Sequence, residues 1–176
     1  MAFWMTGLSG SGKSTLAYAV EQHLFQKGYN VVVLDGDAMR IGLCRELDFS
    51  LQGRLENVRR IAEVAKIFVN NGAICLCALI SPLHEMRQEA KNIIDQECFR
   101  EVFVSCSLEE CVRRDPKGLY TKAKTGAIND FTGISSYYDP PSHPNCTIYT
   151  ESFPLEKSVA ELIAYVESQS VLLKSL

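Results

Sequence analysis

The chain has no apolar run long enough to cross a bilayer, so no membrane-spanning helix is expected. It has no C-x-x-C pair and only 3 histidines, His23, His84 and His143. A Cys/His zinc site therefore lacks its ligands. Neither sign of charge dominates: 18 Lys and Arg stand against 21 Asp and Glu, a formal net charge of −3. That balance offers no general attraction to nucleic acid or to an anionic membrane. A polyanionic ligand would have to be held by a local basic cluster. Internal repeats and low-complexity stretches are also missing. The first apolar segment begins almost at Met1, which leaves no room for a charged region and apolar core ahead of it, so no signal peptide is expected. The 7 cysteines form an odd set in a chain long enough to build its own core. They fit free thiols in a reducing compartment, and a cytoplasmic location is the expectation. Cys75 and Cys77, two apart in an apolar run, share one strand face and read as core.

What is present centres on Gly7-Leu8-Ser9-Gly10-Ser11-Gly12-Lys13-Ser14-Thr15, which fits G-x-x-x-x-G-K-[ST]. Gly7, Gly10 and Gly12 let the backbone turn tightly and approach an anion. Ser9, Gly10, Ser11, Gly12, Lys13, Ser14 and Thr15 would then surround phosphates with backbone N–H groups and the positive end of a helix dipole. Lys13 would reach the β- and γ-phosphates of ATP, and the Ser14 hydroxyl would sit on Mg²⁺. The flanks agree. Ala2-Phe3-Trp4-Met5 reads as a buried strand, and Leu16, Ala17, Val20 and Leu24 form one face of a helix that Gly28 ends. A glycine-rich turn that binds nothing would not need this strand–loop–helix setting.

Val31 to Leu34 reads as a second buried parallel strand and runs into Asp35-Gly36-Asp37, with Arg40 just beyond. Ligands of open α/β sheets lie at the carboxyl ends of strands, which brings Asp35, Asp37 and Arg40 toward the glycine loop. A carboxylate there can hold Mg²⁺ or its waters, or accept a proton from an attacking hydroxyl. Ser50 is placed to cap a helix with Val58, Ile61, Ala62, Ala65 and Val69 on its apolar face. Arg54 and Asn57 share a side near its start: Arg suits an oxyanion, Asn a base or hydroxyl edge. For Arg59 or Arg60 a solvated helix face is the plainer reading. The longest apolar run, Gly72 to Ile80, ends in Ser81-Pro82 and not in Asp, and no N-K-x-D guanine signature appears. That points away from a motor ATPase or GTPase and toward a small-molecule kinase that takes its carboxylate from Asp37. Leu83 to Asp95 reads as helix, Glu101 to Ser105 as strand and Leu108 to Arg114 as helix. Asp115 to Ser136 carries Lys117, Lys122 and Lys124 and has the profile of a mobile lid over phosphates. Phe131 within it is either a base-stacking platform or an anchor of the lid. Thr147 to Thr150 reads as a last strand, and Ser152 is placed to cap a terminal helix bearing Val159, Leu162, Ile163 and Val166. The pattern predicts one α/β three-layer domain over 1–176, with a mainly parallel central sheet and a lid near 115–136.

These segments, in this order, resemble the adenylylsulfate kinases. The resemblance is carried by Thr6 to Thr15, by Leu34-Asp35-Gly36-Asp37 with Arg40, and by Asp48-Phe49-Ser50 leading into Arg54, Glu56-Asn57 and Arg59 to Lys66. It continues through Ile80-Ser81-Pro82, Arg114 to Tyr120, Lys122-Ala123 and Phe131 to Ile134. The resemblance implies a P-loop kinase in which ATP, with Mg²⁺, gives its γ-phosphoryl group to the 3′-hydroxyl of adenosine 5′-phosphosulfate. It implies that Phe49 and Phe131 sandwich the acceptor adenine, and that Arg40, Arg54 and Asn57 hold its phosphosulfate and ribose side. Ile80 and the backbone at Ser81 would line the same pocket, and Lys122 would close over it. Arg114 would border the adenine of ATP, and Lys13 and Asp37 would be catalytic. Asp37 either deprotonates the hydroxyl or works through Mg²⁺ held with Ser14. In some family members the serine corresponding to Ser81 is phosphorylated, and a homodimer is implied. Ala38, Met39, Gly53 and the Tyr138-Asp139 pair depart from the family pattern. Two other readings stay open: another P-loop metabolite kinase, and a nucleotide-binding regulator without catalysis. The paired Phe49 and Phe131 speak against a sugar acceptor, and intact Lys13, Ser14 and Asp37 against a non-catalytic protein.

Overall fold

The computed structural model describes residues 1–171; residues 172–176 of the expected domain span lie outside them. Five strands form one sheet in the order β2-β3-β1-β4-β5. They are β1 (Ala2–Thr6), β2 (Val31–Asp35), β3 (Ile74–Ala78), β4 (Phe99–Ser105) and β5 (Cys146–Tyr149). Every pairing is parallel, as a chain alternating strands with helices requires. The helices are α1 (Lys13–Gln26), α2 (Gly36–Ile41), α3 (Leu51–Asn70), α4 (His84–Ile94), α5 (Leu108–Arg114), α6 (Leu119–Lys124) and α7 (Leu155–Val171).

Strand alternation sorts the core into two layers. On β1, Phe3 and Met5 point to the side of Leu16, Val20 and Leu24 of α1 and Leu162 and Val166 of α7. Ala2 and Trp4 point the other way, to Ile61, Ala62 and Ala65 of α3 and Met86, Ala90 and Ile94 of α4. β3 repeats the pattern: Leu76 faces α1, while Cys75 and Cys77 face α3 and α4 and are fully buried. Central strands covered on both faces must be apolar at every position, which is why these segments read as continuous runs. Each large side chain buried there stabilises by about 1.5–3 kcal/mol.

The edges differ from expectation. β2 is an edge strand, so Val31, Val32 and Val33 are half-buried and not core. Two short helices were not anticipated. α2 starts directly after β2 because Asp35 Oδ1 accepts from Asp37 N at 2.9 Å and Ala38 N at 3.3 Å. α6 lies inside the expected lid, held by Asp115, whose carboxylate accepts from Tyr120 N and Thr121 N, both at 3.0 Å. Ser50 does cap α3, accepting from Gly53 N at 3.1 Å. Ser152 does not cap α7. That helix begins at Leu155, and the Pro154 carbonyl accepts from Ser158 N at 3.2 Å, so Pro154 is the residue at its entry. Among the described residues no helix is long and apolar enough to cross a membrane.

β1 has β3 on one side and β4 on the other, so chain order reverses at its carboxyl end. That is the switch point where open α/β sheets open a crevice. The Gly7–Thr15 loop leaves β1 there.

Candidate active site

The loop owes its path to glycine. Gly10 has φ 77° and Gly12, the residue capping α1, φ 102°, both in the left-handed region. A Cβ at Gly7 would lie 2.6 Å from the Val104 carbonyl oxygen, and one at Gly10 would lie 3.3 Å from that of Cys111. The first turn of α1 carries no acidic residue, so its positive end faces the crevice uncompensated. Lys13 is only 8% exposed, and its Nζ donates to the carbonyls of Gly7 at 2.8 Å and Leu8 at 2.7 Å. Burial pushes its pKa down to about 8. The charge is thus under-compensated, and an arriving polyphosphate would relieve it.

A cavity of about 1170 Å³ opens over this loop. Ser9, Gly10, Gly12, Lys13, Ser14 and Thr15 line one part of it; Phe49, Arg54, Ile80 and Phe131 line another; Asp37 and Arg114 also reach its wall. Gly7, Ser11, Arg40, Asn57, Ser81 and Lys122 do not form that wall. Lys122 is exposed on α6. Asn57 is 6% exposed, and its Oδ1 and the buried Ser11 Oγ have no hydrogen-bond partner. Arg40 stands behind Phe49, its guanidinium 4.3 Å from the ring centre, and donates to the carbonyls of Leu47 and Asp48, each at 3.0 Å. Ser81 is inside the protein, with its Oγ accepting from Trp4 Nε1 at 2.9 Å.

Arg54 joins the two aromatic residues. Its Nε donates to the Phe49 carbonyl at 2.8 Å, and its two Nη groups donate to Thr132 Oγ1 and the Asp130 carbonyl on either side of Phe131. Phe49 presents an exposed ring, 57% accessible. Phe131 is 8% exposed and packs edge-on against Tyr120, ring centres 5.0 Å apart, while one side meets the cavity. It therefore anchors the 115–136 segment and lines the cavity together. Tyr120 extends the anchor to the glycine loop by donating from its hydroxyl to the Ser9 carbonyl at 2.9 Å.

The two aspartates after β2 have different duties. Asp35 is 7% exposed, caps α2 through Oδ1 and also lines the cavity. Asp37 is two-thirds exposed and pairs with Lys117, 80 residues away on the 115–136 segment. The Asp37 hydrogen bond raises the Lys117 pKa, so this lysine stays charged beside the cavity. The sequence marks Lys117 as part of a basic segment and of the Arg114 to Tyr120 stretch, and spacing gives no means of pairing it with Asp37. Arg114 donates to Glu110 at 2.8 Å and to the Thr150 carbonyl at 2.7 Å. Thr150 Oγ1 in turn donates to Ser11 O at 2.8 Å. The stretch Thr150–Leu155 completes the cavity wall beside Arg114. It carries no motif, and only Ser152 in it had been singled out, for capping. Arg59 and Arg60 both bind Glu56 on the outside of α3 and take no part in the cavity.

A left-handed glycine loop, a buried lysine, a free helix N-terminus and a switch-point cavity define a P-loop nucleotide-binding domain of the kinase type. Comparison with known proteins narrows the class. The family model for adenylylsulphate kinase matches residues 1–149. The adenylyl-sulfate kinase of Pseudomonas aeruginosa is 51% identical over 165 residues, which cover 94% of this chain and 84% of that protein. A probable adenylyl-sulfate kinase of Halalkalibacterium halodurans is 51% identical over 163 residues, 93% of this chain and 78% of that one. The structure of the Mycobacterium tuberculosis APS kinase CysC in complex with AMPPNP and APS superposes with a TM-score of 0.90 at 43% identity, covering 94% of this chain and 96% of that chain. This chain belongs to the adenylylsulphate kinase family.

Proposed function

We infer that this protein transfers the γ-phosphoryl group of ATP to the 3′-hydroxyl of adenosine 5′-phosphosulfate, giving ADP and 3′-phosphoadenosine 5′-phosphosulfate. The observation that carries this reading is the single cavity shared by the Lys13–Ser14 loop and the Phe49–Arg54–Phe131 cluster, with Asp37 on its wall. One end supplies phosphate-binding groups; the other supplies two aromatic rings joined by an arginine, as an adenine nucleotide acceptor needs.

Each group has a task in the transfer. The loop amides and Lys13 neutralise the β- and γ-phosphates. Arg114 and Thr150–Leu155 border the donor base. Phe49 and Phe131 enclose the acceptor adenine, with Arg54 on its phosphosulfate; Arg40, which backs the Phe49 ring, and Asn57, buried outside the cavity wall, join the phosphosulfate and ribose side as the acceptor binds. Ile80 forms the floor, with the Ser81 backbone held just beyond it, and Lys122 comes over the acceptor as it binds. The 3′-oxygen forms its bond to the γ-phosphorus as the bond to the β,γ-bridging oxygen breaks, and ADP leaves with that electron pair. Asp37 orients the hydroxyl and either takes its proton or acts on it through Mg²⁺ held with Ser14. Lys117 is released from Asp37 when that carboxylate engages the acceptor.

Mg²⁺ fits the donors present: the Ser14 hydroxyl and the exposed Asp37 carboxylate are hard oxygen ligands that line the cavity. Ser14 and Asp37, directly or through water, would hold it, and its charge would offset that of the phosphates. A cytoplasmic location is supported by all seven cysteines being free thiols. A homodimer is supported by the exposed apolar side chains Ile41, Leu43 and Leu51 around α2 and the start of α3; a single-chain mass by light scattering would remove it. The reaction is tested by ADP release with ATP, Mg²⁺ and a panel of acceptors. Turnover with adenylylsulfate above every sugar and monophosphate acceptor is expected. Background turnover with adenylylsulfate beside activity on another acceptor would overturn the assignment.

A further inference from the structure

Ser81 has φ 36°, a left-handed conformation that a serine holds only when its surroundings impose it. The surroundings do impose it. Three successive carbonyls are each tied from a different element. Ile80 O accepts from Thr6 Oγ1 of β1 at 2.7 Å. Ser81 O accepts from Arg87 Nη1 of α4 at 3.0 Å. Pro82 O accepts from Asp139 N at 2.8 Å. The Ser81 hydroxyl is held as well, by Trp4 Nε1 at 2.9 Å.

Arg87 is the costly member of this set. Its side chain is 2% exposed, on the same face of α4 as the buried Met86, Ala90 and Ile94. Its Nε donates to Glu101 Oε1 of β4 at 2.6 Å, and Glu101 is 19% exposed. A buried ion pair gains little stability over well-packed apolar residues. What an apolar side chain cannot do is donate to a strained carbonyl. Ile80, the residue just before, lines the same cavity as Phe49 and Phe131.

We propose that Arg87, aimed by Glu101, is a positioning residue that fixes the Ile80–Ser81–Pro82 backbone and thereby shapes the acceptor half of the site. It acts from behind the sheet and touches neither nucleotide. The inference rests on the acceptor occupying the Ile80 side of the cavity, as argued above.

The test uses wild-type, Arg87→Met, Arg87→Lys and Glu101→Gln proteins. ATP and adenylylsulfate are varied in turn in the ADP-release assay. The emission of Trp4, the single tryptophan, reports on the Ser81 contact without any substrate. Arg87→Met should raise KM for adenylylsulfate about 10- to 100-fold. KM for ATP should stay within about twofold, and Trp4 emission should shift. Arg87→Lys should recover part of both effects, and Glu101→Gln should move both in the direction of Arg87→Met. Equal rises in the two KM values would overturn the proposal, as would an unchanged adenylylsulfate KM or an unchanged Trp4 emission in a folded variant. Should Arg87→Met fail to fold, Arg87→Lys and Glu101→Gln decide by the same criteria. Wild-type inactivity toward adenylylsulfate would overturn the proposed reaction, while the emission comparison still decides the positioning role.

Discussion

Lys13 is a charge that burial disfavours, and the size of that penalty is measurable. Its ordinary pKa of 10.5 falls to about 8 in the folded protein, chiefly through loss of water around Nζ. Between those two values the unfolded chain binds a proton at this side chain and the folded chain does not. Stability must therefore rise with pH across that window and be lowest below it. At about 1.4 kcal/mol per pH unit, the gap corresponds to about 3 kcal/mol. Lys13→Met removes the titration and keeps the length of the side chain. Urea unfolding of both proteins, from about pH 7 to about pH 11, gives a difference curve from which other titrating groups cancel. Wild type should gain on the variant by about 3 kcal/mol as pH rises through the window. Nucleotide should erase the slope, because phosphate raises the lysine's pKa, and binding near pH 9 should take up a proton. A flat difference curve, or nucleotide binding without proton uptake, would refute the view that Lys13 is held under-compensated for the phosphates.

Gly53→Ala should destabilise by about 1–3 kcal/mol. Helix propensity alone would favour alanine by about 1 kcal/mol, but a Cβ there would lie 2.4 Å from Asp48 Oδ1 and 2.5 Å from Asp48 O, so the steric term wins. A thermal melt at or above wild type would show that the Asp48 turn yields freely. Phe131→Ala should weaken acceptor binding by about 1–3 kcal/mol with ATP affinity unchanged, measured by calorimetry with each nucleotide. If acceptor affinity holds, Phe131 serves only as the anchor against Tyr120.

Local patterns revealed the parts of the protein that local forces decide. β1 and β3 are covered on both faces and read as continuous apolar runs. α5 was bounded at Leu108 and Arg114 as the structure has it. α3 was found from Ser50 and its apolar stripe. What stayed hidden depends on partners far along the chain or on elements too short to show a period. α2 and α6 span six residues each and are started by aspartate side chains, Asp35 and Asp115. The same Asp35-Gly36-Asp37 triplet that marked the site therefore also starts a helix. β2 looked like a core strand because valines suit either a central or an edge position; only its lack of a second neighbour in the strand order makes it half-buried.

The site shows the same division. The phosphate loop was legible because its chemistry is local: glycine conformations, backbone amides and one lysine. The ion pair of Asp37 with Lys117 and the Arg54 bridge from Phe49 to the Phe131 segment join residues about 80 apart, and no spacing rule connects them. Arg87 carries no signal in the sequence: it is buried because Glu101 and the Ser81 carbonyl, both distant from the pattern of its own helix, complete its hydrogen bonds. At Gly53, where the chain departs from the family pattern, the Asp48 carboxylate and carbonyl occupy the space where a side chain would begin.

The proposed reaction requires the cavity to hold two adenine nucleotides in line, so that phosphate passes from one to the 3′-oxygen of the other. The most direct measurement follows label from γ-labelled ATP into products, using adenylylsulfate and its 3′-deoxy analogue in parallel. Label is expected in a nucleotide from which a 3′-nucleotidase releases it, and none in the 3′-deoxy compound although that compound still binds. Label at any other position, or equal transfer to the 3′-deoxy analogue, would contradict it.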